Sequence, residues 1–162
     1  MLTRYIKARR LARHGVERPL LVLSEAKRAN LKPEYALAML ENETGIPQRN
    51  VFGCDAGPRS TVPYCGQEVT RERVQLLLAS GYSNGVGWTQ LTYRPLVFEA
   101  DAIGGAHLPK YQMRIGFRTL ANHMLVYGVW GGFRAYNGSG PAAEAYANQA
   151  IDRAKRWKRI LE

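Results

Sequence analysis

A mainly helical fold is predicted for this chain: one domain with at most a small β-hairpin and long loops around its site. Three features predict it. Apolar residues recur every three or four positions over most of the sequence. Gly and Pro gather in residues 45–68, and Gly again in 81–92, which breaks any period there. No convincing strand of five or more residues appears, apart from short pieces between 48 and 92. The 162 residues, 46% hydrophobic with three Trp, suffice for a single core.

The elements follow in order. Residues 2–14 read as a basic helix with Leu2, Tyr5, Ile6 and Leu11 toward one side, ended by Gly15. Residues 19–30 read as a second helix. Pro33 opens a third and Gly45 closes it, the residue types suited to a first helical position and to the position past a helix end. Val69 to Ser80 is a helix capped by Thr70, with Val74, Leu77 and Leu78 inward. Residues 81–92 form a short hairpin or a loop. A short helix covers 95–103. A longer one covers 113–127, with Met113, Phe117, Leu120, Ala121 and Met124 on one stripe, stopped by Gly128. Phe133 to Tyr136 is a short apolar element. Pro141 starts a terminal helix that buries Ala143, Tyr146, Ala147, Ala150, Ala154, Trp157 and Leu161. Residues 1–30 are thus a basic helical segment packed on the body of the domain, residues 31–162.

The net charge of +10 is unevenly placed. Residues 1–32 hold nine Lys/Arg against two Glu, a net of +7, while residues 33–140 are nearly balanced. Such a surface suits a polyanion: nucleic acid, an anionic membrane, or a bacterial wall. No nucleic-acid reading motif accompanies the charge, so no specific nucleic acid is expected. The longest apolar stretch near the start, Leu20 to Leu23, is too short for a signal peptide core or a membrane span. Cys54 and Cys65 flank a loop and form either a small disulfide or two free thiols. They are too few for a zinc site, and His14, His107 and His123 are scattered, so neither a metal nor a cofactor is expected.

One carboxylate stands out. Glu43 lies in the last turn of the 33–44 helix, where the negative end of the dipole disfavours an anion. Partial burial acts in the same direction. Both push the pKa of a carboxyl group up, which suits a general acid near neutral pH. Glu41, two residues earlier, is the competitor. Positions two apart on a helix point about 200° away from each other, so only one of the two faces a cleft.

Three segments line up with Glu43. They are Glu43-Thr44-Gly45, Gly85-Val86-Gly87-Trp88-Thr89-Gln90-Leu91-Thr92 and Ala135-Tyr136-Asn137-Gly138-Ser139-Gly140. In this order they resemble the lytic transglycosylase and goose-type lysozyme superfamily. With Asn50-Val51-Phe52-Gly53-Cys54-Asp55 they look closer still to the glycosidase domain of actinobacteriophage endolysins. The similarity covers roughly residues 30–160. Trp88-Thr89 departs from the transglycosylase pattern, and the loop is also similar to the Gln-Leu-Thr loop of family 19 chitinases.

The resemblance implies a lysozyme-like catalytic domain over residues 31–162. It would cut the β-1,4 bond between N-acetylmuramic acid and N-acetylglucosamine in phage-mediated lysis. It carries Glu43 over as the catalytic acid, Gln90 with Thr89 as sugar-binding loop residues, and Tyr136 with Asn137 as substrate neighbours. The reaction mode depends on a second carboxylate, about 6.5–9.5 Å away for inversion and 5–5.5 Å for retention. Asp55 is preferred for it over Glu68. A transglycosylase needs none, because the muramic hydroxyl itself attacks. Peptidoglycan strands are the implied partner, the basic N-terminal segment meets the anionic wall, and the protein acts as a monomer. It would wait in the host cytoplasm until released to the wall.

Overall fold

The computed structural model describes residues 2–54 and 64–162. They are mainly α-helical, and no sheet forms among them. The helices are α1 (Leu2–Arg13), α2 (Pro19–Arg28), α3 (Pro33–Thr44), α4 (Arg71–Ser80), α5 (Arg94–Ala102), α6 (Pro109–Asn137) and α7 (Pro141–Leu161). Several boundaries follow local chemistry. Pro stands in the first turn of α2, α3, α5 and α7. The Thr70 hydroxyl accepts the Arg73 N–H and caps α4, and Gly81 ends that helix in the left-handed conformation. None of the described helices is long and apolar enough to cross a membrane.

The chain divides into two compact units. The first comprises Met1–Gln48 and Phe117–Glu162. Its framework is α3 against α7, the most extensive helix pairing among the described residues. Ala36 to Leu40 are buried on α3. Ala143, Ala147, Ala150, Ala154, Trp157 and Leu161 are buried on α7, at alternating four- and three-residue spacing. Four alanines on one stripe let the helix axes approach closely. The basic segment 1–30 belongs to this unit: α1 packs on α2 and α7, and α2 packs on α3.

The second unit, Arg49–Gly116, has its own core of Phe52, Val69, Val74, Leu77, Leu78, Val86, Leu91, Val97, Ala100, Ala106 and Ile115. The short strand pieces expected between 48 and 92 are isolated bridges, Val51 with Glu68 and Phe52 with both Cys65 and Val86. Cys54 and Cys65 are joined as a disulfide, which decides between the two alternatives open in the sequence.

Two expectations change. Leu2, Tyr5, Ile6 and Leu11 of α1 do not lie toward one side. Ala8 and Leu11 are buried, whereas Leu2, Tyr5 and Ile6 are 75%, 54% and 45% exposed. Residues 2, 6, 9 and 13 share one face of a 3.6-residue helix, and Leu11 lies on the opposite one. The expected stop at Gly128 is real as a break, since its φ of 72° and ψ of 178° are non-helical. Helix resumes beyond it through Asn137, so Phe133 to Tyr136 is the end of α6 and not a separate element. The start of α6 also precedes the expected 113, at Pro109.

Candidate functional site

Within the first unit, the end of α3 meets α7 through three consecutive polar residues, each in a different setting. The Glu41 carboxylate is paired with two arginines of α7: Arg156 donates to Oε2, and Arg153 Nε lies 3.6 Å from Oε1. The Trp157 indole N–H donates to the same Oε2 at 2.8 Å. Asn42 bridges the helices in both directions, its Nδ2 donating to the Tyr146 carbonyl at 3.0 Å and its Oδ1 accepting from Arg153. Glu43 takes a hydrogen bond of 2.5 Å from the Tyr146 hydroxyl to its Oε1. One carboxylate of the expected competing pair is therefore neutralised by guanidinium groups, while the other is held by a phenol.

Burial pushes Tyr146 well above the usual tyrosine value of 10.0, and the charge of the adjacent Glu43 and the hydrogen bond to it push it further. The phenol is thus a donor throughout the neutral range. Tyr136, at the end of α6, stands close enough for its own charge to raise Tyr146 as well. The structure therefore brings Glu43 and Tyr136, two residues singled out by sequence, around a third that was not. Tyr146 was read only as part of the buried face of α7. A hydrophobic period reports which way a residue faces, not that its polar tip meets a carboxylate 103 residues earlier in the chain. Asn137 ends α6 and is exposed.

The glycine-rich loop lies in the second unit and is built by two glutamines. Gln90, in the left-handed region at φ 44°, donates its amide hydrogens to the carbonyls of Val51 at 3.0 Å and Gly87 at 2.8 Å. A Cβ at Gly53 or Gly85 would fall within 2.3 Å or 2.2 Å of its Oε1, so a side chain at either position would displace the Gln90 amide. Gln112, fully buried on α6, accepts the Trp88 N–H at 2.8 Å and donates to Asn50 Oδ1 and the Ala106 carbonyl. A Cβ at Gly87 would lie 2.1 Å from its side chain. Gln112 was missed by sequence because a lone glutamine in an apolar stripe carries no motif.

Thr89, expected as a sugar contact, is fully buried and donates its hydroxyl to the Gln112 carbonyl at 3.0 Å. That hydroxyl pins the loop to α6. Gln90, expected to meet sugar with its amide, spends both amide hydrogens on the loop backbone. Glu68 is an exposed residue of the second unit, bridged through its backbone to Val51. Asp55, the preferred second carboxylate, lies outside the described residues. Among the described residues no group of His, Cys, Asp and Glu could hold a metal ion. No family model matches the chain, and neither a curated protein nor a solved structure matches it.

Proposed function

We propose that the protein is a peptidoglycan-cleaving glycosidase in which Glu43 is the general acid. The observation that carries this reading is the Tyr146–Glu43 hydrogen bond at the end of α3, with Tyr136 beside it. Glu43 would deliver its proton to the glycosidic oxygen between N-acetylmuramic acid and N-acetylglucosamine as an oxocarbenium-like sugar develops. The carboxylate left behind would then be stabilised by the phenol, a donor already in place and needing no reorganisation. Glu41 is unsuited to the same task, because Arg153, Arg156 and the Trp157 N–H already engage both of its carboxylate oxygens. Lysis of a host cell wall by a phage-type lysin is the setting this activity fits, with the +7 of residues 1–32 drawing the enzyme to an anionic wall.

The test is Glu43→Gln, which keeps the shape of the side chain and removes its proton. Turbidity clearing of purified walls should fall to near background, with the circular dichroism and melting curve of the wild type. A folded Glu43→Gln protein that clears walls at the wild-type rate would refute the assignment.

The reaction mode has two forms. Hydrolysis needs a second carboxylate, for which Asp55 is the candidate. Transglycosylation needs only the acid and the muramic hydroxyl. Mass spectrometry of digested peptidoglycan separates them, since anhydromuramic products are lighter by one water. In the hydrolytic form, Asp55→Asn should slow the reaction on the order of 10²-fold or more. Reducing-end products and that loss together establish hydrolysis; anhydro products with an active Asp55→Asn protein establish transglycosylation.

A further inference from the structure

The outward face of α1 combines two properties that a soluble helix normally keeps apart. Leu2, Tyr5 and Ile6 are exposed, and so are Arg9 and Arg13 on the same side of the helix. The twelve residues of α1 contain five Lys/Arg and no acid. The inward side, Ala8 and Leu11, already satisfies the packing on α2 and α7. Among the described residues, the packing of the first unit therefore does not account for the exposed Leu2, Tyr5 and Ile6.

The surface continues onto α2. Arg4 donates to the Leu20 carbonyl at 2.8 Å, tying the two helices together. Beside that tie lies an open groove of about 520 Å³ whose lining includes Tyr5, Ala12, Pro19 and Leu20, with the exposed Arg9 and Arg18 among its walls. Leu20 is itself 39% exposed. A second hollow, about 450 Å³, holds Arg4, Lys7, Lys27 and Lys32 around Leu23 and Leu31. Both hollows pair cations with apolar walls.

The geometry points to the α1–α2 hairpin as a docking surface for an anionic lipid bilayer. Charge complementarity selects the sign of the partner, and the interleaved apolar side chains select its kind. A wall polymer or nucleic acid presents phosphates, carboxylates and sugars, and gains little from exposed Leu2 and Ile6. A bilayer offers anionic head groups for Arg9, Arg10 and Arg13, and an acyl boundary a few ångströms below them for Leu2, Tyr5 and Ile6. The hairpin would lie in the interface and not span it, in keeping with the length and polarity of both helices. This docking goes beyond the glycosidase reading and stands without it.

The experiment is co-sedimentation of the full-length protein with vesicles of phosphatidylglycerol and phosphatidylcholine, against vesicles of phosphatidylcholine alone. Binding is expected to the anionic vesicles only. Two double variants divide the cause: Leu2→Ser/Ile6→Ser removes apolar side chains, and Arg9→Glu/Arg13→Glu reverses charges. All four positions are exposed or borne by α1 away from its packed side, and circular dichroism checks that each variant keeps its helix content. Each pair should lower the partition coefficient by about tenfold or more. Absence of wild-type binding to anionic vesicles would overturn the proposal. So would a Leu2→Ser/Ile6→Ser protein that binds like wild type while the charge variant does not, because binding would then be to anionic groups alone. Purified wall fragments serve as the comparison: retention on them unaffected by Leu2→Ser/Ile6→Ser, alongside lost vesicle binding, would confirm that the apolar stripe is for lipid.

Discussion

At Tyr146 a phenol donates to a carboxylate from a half-buried position, and two outcomes follow from that atom pair. Tyr146→Phe removes one hydrogen bond to a charged group and leaves the ring in place. Such bonds contribute about 1.5–3 kcal/mol, so the catalytic rate should drop about ten- to a hundredfold with little change in substrate affinity, read by steady-state kinetics on a soluble glycan. The second outcome concerns pH. The folded-state value of Tyr146 is raised above the usual 10.0, so the unfolded chain releases this proton first as pH climbs. Its contribution is therefore fully present below pH 10 and is lost as pH rises from there toward the raised value. Chemical denaturation between pH 9 and pH 11 should show the wild type losing stability at the alkaline end, and Tyr146→Phe losing less. Glu43 was legible in sequence because its place at a helix end is local. Tyr146 was not, because its role depends on where two distant helices bring a hydroxyl.

Helices were the most legible level of this chain, and the reasons are visible in particular elements. The bounds of α3, Pro33–Thr44, match the expectation because both signals, proline at the start and glycine past the end, lie within the segment itself. The same holds for α7 with Pro141. α1 shows the limit: Leu2, Tyr5, Ile6 and Leu11 are expected toward one side, although the packed face is Ala8 and Leu11. With few large apolar residues on the packed face, the period alone does not identify the inner one. The α3–α7 contact was likewise beyond reach of the sequence, and a prediction tests it. Glu41 is 15% exposed and carries the load of both Arg153 and Arg156. Glu41→Ala leaves two guanidinium groups and the Trp157 N–H without that partner. The cost lies between that of an exposed pair, under 1 kcal/mol, and a buried one, 3–5 kcal/mol, so about 2 kcal/mol is expected. Thermal melting should fall by about 4–8 °C. Wall clearing well below that temperature should stay within about threefold of wild type, in contrast to Glu43→Gln. A Glu41→Ala protein as inactive as Glu43→Gln would mean that the acid has been placed on the wrong residue.

At the level of the whole molecule, charge acts over distances that no single contact defines. The first 32 residues carry +7 of the total +10, in a segment that contributes α1 and α2 to the first unit and none of the residues around Glu43. This asymmetry was fully legible, since charge needs no folding to be counted. What it attracts was not legible, because the interleaving of Leu2, Tyr5 and Ile6 with arginines appears only once the inner face of α1 is known. Long-range attraction and short-range insertion respond differently to salt. Exposed charges are screened over about 8 Å at physiological ionic strength, whereas burial of apolar side chains is insensitive to that screening. Reversing Arg9, Arg10 and Arg13 should therefore slow clearing of intact cell walls several-fold at low salt. The gap from wild type should narrow as salt is raised, because screening removes from the wild type the attraction the variant already lacks. Rates on a short soluble glycan should differ far less between the two proteins, since it carries few charges compared with the intact wall. A salt-independent loss on both substrates would place these arginines in the stability of α1 instead, which the melting temperatures of the two proteins would register directly.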